Sequence, residues 1–89
     1  AEAMQAAGEA QGLAPDTARR LVVQTLLGAS RMLDESGDAA AVLRQRVTSP
    51  GGTTQAAIEC FEAGGFRERV DAAIAAAVRR GRELAAGNE

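Results

Sequence analysis

The stretch from Pro15 to Ser36, PDTARRLVVQTLLGASRMLDES, decides the fold. Pro15 suits a first helical turn, where its missing N–H costs nothing, and Asp16 lies at the positive end of the helix dipole. Gly37 closes the helix near residue 36. Ala18, Leu21, Val22, Thr25, Ala29, Met32 and Leu33 fall at helical spacing and form one apolar stripe. Val23, Leu26, Leu27 and Ser30 form a second stripe on the opposite side. Between Leu21 and Ala29 only Gln24 and Thr25 are polar. A helix that is apolar all round must be covered on every side. Short neighbouring helices cannot easily do this, so the pattern predicts a subunit interface.

Working outward, every other segment also reads as helix. Glu2 to Ala10 forms a first helix, with Gly12 as its stop. A short third helix is expected over about Ala39 to Arg46, with Asp38 as its N-cap. A fourth is expected to start at Ser49, carry Thr54, Ala57, Ile58 and Phe61 on one face, and stop at Gly64-Gly65. A fifth, about Phe66 to Ala85, carries the stripe Val70, Ala73, Ile74, Ala77, Val78, Gly81 and Leu84. Its Ala72, Ala75 and Ala76 keep one flank small enough for close helix contact. No segment alternates at period two for long, so no strand is predicted. The expectation is an all-α fold of about five helices in one domain over residues 1–89, with the tail from Gly87 frayed.

Composition agrees. Of 89 residues, 46% are hydrophobic and 25% charged, at a net charge of −2. This balance argues against a disordered tail and gives no electrostatic case for nucleic acid or an anionic membrane. Alanine supplies 21 residues, with two Phe and neither Trp nor Tyr. Alanine favours helix but buries little area, so a core built from it needs close helix axes or a second chain. Gly28 inside the second helix is unfavourable, and a helix crossing there would compensate for it. Cys60, the lone cysteine beside Ile58 and Phe61, is expected as buried filler. No histidine is present, which nearly excludes zinc. Arg79, Arg80 and Arg82 read as a solvated face. No apolar run approaches the ~20 residues of a membrane span, and a reducing cytoplasm fits the lone thiol. The opening AEAMQAAGEAQG starts helical with neither cap nor Met, so further sequence is expected upstream.

Ser49-Pro50-Gly51-Gly52-Thr53-Thr54 carries the chemistry. Ser is a favoured N-cap and Pro a favoured first helical residue, which would put both glycines in the first turn of the fourth helix. Glycines there weaken the helix by about 0.8–1 kcal/mol each relative to Ala. In return, a ligand can approach the backbone amides closely. Such helix starts present unpaired N–H donors and bind carboxylates and phosphates. Thr53 and Thr54 add hydroxyls. A capped helix whose glycines only turn the chain is the plainer reading, and spacing does not separate the two.

VTSPGGTT followed by AAIECFEAGGF resembles the signature of pyrroline-5-carboxylate reductases. GLAPDTARRLVVQTLLGASRMLDESG is similar to the long helix of the same family, and RELAAG to its last. The likeness covers essentially the whole chain, up to the family's C-terminal dimerisation domain. It implies a helical domain like the C-terminal part of 6-phosphogluconate dehydrogenases, interlocked as a homodimer, with five dimers forming a decamer in many members. It implies reduction of the imine 1-pyrroline-5-carboxylate to proline with NADPH or NADH. The nucleotide would lie on an N-terminal Rossmann domain, whose nicotinamide delivers hydride to the imine carbon. Carried over by position, Ser49 and the amides of Gly51, Gly52, Thr53 and Thr54 would hold the substrate carboxylate. The Thr54 hydroxyl would face the imine nitrogen as the catalytic group, and Thr53 is the least constrained. With no GxGxxG turn, the chain alone is expected to be inactive and to bind no nucleotide. The alternatives are a free-standing helical interaction module and a small anion-binding protein. An upstream strand–GxGxxG–helix pattern would separate them from the reductase reading.

Overall fold

The computed structural model describes residues 1–87, which form five helices and, among the described residues, no strand. In chain order they are α1 (Glu2–Ala10), α2 (Pro15–Ser36), α3 (Ala40–Arg46), α4 (Thr53–Ala63) and α5 (Phe66–Gly87). The all-α expectation therefore stands. The chain divides into two units, Ala1–Arg46 and the residues from Val47 onward.

In the first unit, α1 ends as its glycine predicts. Gly12 takes φ 102°, the Leu13 N–H donates to the Gly8 carbonyl at 3.1 Å, and the Gly12 N–H donates to Glu9 at 2.9 Å. This pair of bonds is the Schellman pattern, and it satisfies carbonyls that the helix end would leave open. Pro15 opens α2 and Gly37, at φ 69°, closes it. α1 and α3 both pack on α2. A Cβ on Gly8 would lie 3.3 Å from Leu13 Cδ1 and 3.5 Å from Ala18 Cβ, so this glycine lets α1 approach closely. Ala18 and Val22 on α2 and Leu43 on α3 are the buried apolar residues among those described.

Asp38 is not the cap of α3. The N–H groups of Val42 and Leu43 both reach the Ala39 carbonyl, so the helix begins one residue later than a cap at 38 allows. The Asp38 carboxylate instead accepts from Arg46 Nη1 at 2.6 Å, and its N–H donates to Ser36 Oγ. An arginine one helix-length away is the stronger, charge-assisted donor.

In the second unit, α4 and α5 pack together and are joined at Gly64-Gly65, with Gly65 at φ 78°. Phe61 and Phe66 stack across this corner with ring centroids 5.0 Å apart at 57°. Glu62 pairs with Arg67 at 2.9 Å beside them. No residue of α4 or α5 is buried. The stripe Val70, Ile74, Val78 and Leu84 is 46–62% exposed. α5 runs on to Gly87, two residues past the expected Ala85, and the remaining tail, Asn88 and Glu89, lies outside the described residues.

The uncovered face of α2 agrees with the expectation that short neighbouring helices cannot cover it, and two other expectations change. Leu21, Val23, Leu26, Leu27, Met32 and Leu33 are 45–53% exposed, so α2 is covered within this chain only at Ala18 and Val22. Among the described residues nothing beyond its own helix backbone comes within 4 Å of a Cβ built on Gly28, so the expected crossing is not made within them. Cys60, expected as buried filler, is an exposed free thiol, because α4 buries none of its residues within its own unit. The polar Thr25 is satisfied locally, its Oγ1 donating to the Leu21 carbonyl at 2.7 Å.

Candidate functional site

The segment before α4 is a turn, not the first turn of a helix. Gly51 takes φ 74°, a conformation glycine reaches without a Cβ penalty. Gly52 is extended, at φ −86° and ψ 177°, and serves as the N-cap of α4. The Gly52 N–H donates to the Ser49 carbonyl at 3.0 Å, closing a turn with Pro50 and Gly51 at its centre. Proline second and a positive-φ glycine third is the type II pattern. The helix therefore starts at Thr53 with Gly52 as its cap, three residues later than the expected cap at Ser49. Ser49 closes the turn through its carbonyl and does not cap the helix.

This geometry sorts the five residues singled out in the sequence. Thr53 and Thr54 are the first two residues of α4, and their amides have no carbonyl one turn behind them inside the helix. Thr54 is half-buried and Thr53 exposed. The Gly52 N–H is engaged by Ser49, and the Gly51 N–H donates to the side-chain Oε1 of Gln55. A Cβ on Gly52 would stand 3.1 Å from the Ser49 carbonyl oxygen, so a larger residue there would press on the turn by a few tenths of an ångström. All five residues lie within the second unit and within six positions of one another.

The local field is positive without a charged side chain, because the amides of a helix start carry partial positive charge. An anion would meet the amides at the head of α4 beside the hydroxyls of Thr53 and Thr54. Gln55, third in α4 and half-buried, is the residue the sequence reading missed. A Gln at the third helical position commonly reaches back to an amide before the helix. That signal becomes legible only once the helix is started at Thr53.

Residues 1–84 match the family model described as pyrroline-5-carboxylate reductase dimerisation. The chain belongs to that family. It is 52% identical over 84 residues to a pyrroline-5-carboxylate reductase of Pseudomonas aeruginosa, covering 94% of this chain and 31% of the relative. To the Arabidopsis thaliana pyrroline-5-carboxylate reductase it is 45% identical over 83 residues, covering 93% of the chain and 30% of the relative. Among solved structures it is similar to a pyrroline-5-carboxylate reductase from Coxiella burnetii, at a TM-score of 0.88 and 51% identity. That match covers 93% of this chain and 31% of the other. The chain thus spans under a third of the length of the relatives it matches. The all-helical architecture is what a member of this dimerisation family should have.

Proposed function

We propose that these residues form the C-terminal dimerisation and substrate-binding domain of a cytoplasmic reductase that converts 1-pyrroline-5-carboxylate to L-proline with NADPH or NADH. The observation that carries the reading is the 52% identity to a pyrroline-5-carboxylate reductase over nearly the whole chain. The SPGGTT turn, which sets anion-binding amides at the head of α4, supports it from chemistry.

On this reading the substrate carboxylate docks on the amides of Thr53 and Thr54 with the Ser49 hydroxyl beside them. Gly51 and Gly52 shape the approach. The Thr54 hydroxyl faces the imine nitrogen and holds it by a hydrogen bond as charge changes there. The nucleotide belongs to other parts of a full-length enzyme: the described residues include no strand and the sequence no GxGxxG turn. The 89 residues alone therefore reduce nothing.

The second half of the proposal is a homodimer, with assembly into a decamer of five dimers. Sixteen large apolar residues are more than a third exposed among those described. Fully burying such a side chain stabilises by about 1.5–3 kcal/mol, so covering these already half-covered ones contributes on the order of 12–24 kcal/mol. Association costs about 4–15 kcal/mol. A second copy of the same faces is the natural cover, and the match to a dimerisation family supports that choice.

The deciding experiment is Thr54→Ala in a full-length enzyme carrying this domain. A preorganised polar group acting on charge that develops in the transition state contributes about 10²–10³-fold, so kcat should fall by that factor. Steady-state rates with pyrroline-5-carboxylate read it directly. If kcat and KM both stay within twofold of the parent, Thr54 has no part in the reaction.

A further inference from the structure

We infer that Gln55 is a positioning residue, whose side-chain carbonyl locks the Ser49–Gly52 turn onto the head of α4 and so fixes where the substrate carboxylate binds. The inference rests on the proposed function and adds a residue to it. The turn has two ties. One is the main-chain bond from Gly52 to Ser49. The other is the bond from the Gly51 N–H to Gln55 Oε1. Only the second connects the middle of the turn to the helix. Gly51 can take either sign of φ with little penalty, so nothing in its own chemistry holds it at 74°. Pro50 fixes the residue before it but has no N–H of its own to anchor. The Gln55 amide supplies the missing restraint.

A second consequence concerns the donors. With its N–H already engaged, Gly51 contributes shape and leaves the carboxylate to the amides of Thr53 and Thr54. A turn released from Gln55 would let Ser49 drift relative to Thr54, and a bound carboxylate would have to order it again. That penalty falls on substrate and transition state alike, so it raises KM and spares kcat.

The test is steady-state kinetics on the full-length enzyme with two variants. Gln55→Met keeps the length and removes the acceptor. It should raise KM for pyrroline-5-carboxylate about fivefold, with kcat within twofold. With 1-pyrroline, which lacks the carboxylate, kcat/KM should stay at the parental value. Gln55→Glu keeps an acceptor oxygen in place, so its melting temperature should stay near the parent's. The added charge faces the substrate's, so its KM should rise further than that of Gln55→Met and recover in part with salt. A KM in Gln55→Met that is unchanged or lower overturns the inference, as does an equal loss with both substrates. Thr54→Ala in the same enzyme separates the two levels. If it is impaired while Gln55→Met matches the parent, only the role of Gln55 fails. If Thr54→Ala is also parental, the reading of the site fails with it.

Discussion

The two units use the same alanine-rich helical material and reach opposite outcomes. The first, α1 to α3, encloses Ala18, Val22 and Leu43 and lets α1 approach α2 at Gly8. The second, α4 and α5, buries nothing; it is held at one corner by two phenylalanines and an ion pair. The difference lies in what each apolar stripe faces. α2 has neighbours on one side, whereas the stripe of α5 is 46–62% exposed within its own unit. Helical propensity makes the helices, and cover has to come from elsewhere. The first unit has a small nucleus of its own. The second has none, and on the proposed dimer it would draw its cover from a partner.

Three changes probe that contrast, the first with the largest effect. Leu26→Arg or Ile74→Arg places a charge on an apolar face with no intrachain cover, where the proposed second copy docks. Each should convert the dimer to monomer or aggregate, read by light scattering after gel filtration. A folded, monodisperse monomer of the unchanged chain at micromolar concentration would remove the basis of the comparison.

Ala18→Leu acts inside the first unit. Ala18 is 1% exposed and lies beside Gly8, so a larger side chain must push α1 off α2. Overpacking of this kind costs about 1–3 kcal/mol. Urea unfolding should show that loss at every protein concentration, because the contact lies within one chain. A loss that vanishes at high concentration would mean the first unit also relies on its partner.

Arg46→Ala should do least. It removes the 2.6 Å pair with Asp38, whose side chains are 59% and 36% exposed. Exposed pairs contribute about 0.2–1 kcal/mol, so the melting temperature should move by a few degrees at most. A larger drop would show that the pair clamps α3 onto α2 and belongs with the nucleus.

What the sequence disclosed follows the same division. α1 and α2 were legible to the residue because Gly12, Pro15 and Gly37 are local signals that the chain obeys. The start of α4 differs by three residues because Ser-Pro reads as cap and first turn. Whether the next glycine adopts positive φ is not encoded in its identity. That single dihedral moves the helix start, and with it the roles of Ser49, Gly52 and Gln55. Burial of Cys60 is expected from its apolar neighbours Ile58 and Phe61, and a crossing at Gly28 from the cost of glycine inside a helix; neither signal says which chain supplies the cover. The helix stripes themselves were correctly read. Their exposure in a single copy is the part that periodicity cannot report.

The two hydrogen bonds that set the turn, from Gly52 to Ser49 and from Gly51 to Gln55, are made between near neighbours, and the Gly52 carbonyl adds one from the Ala56 N–H at 3.2 Å. The turn's shape is thus a property of eight consecutive residues, whereas the proposed adhesion between copies would be spread over the stripes of α2 and α5. Substitution in those stripes could drift, and assembly strengthen or weaken, while the geometry proposed to face the substrate is inherited unchanged. A lineage can therefore vary its quaternary state and its chemistry on separate clocks.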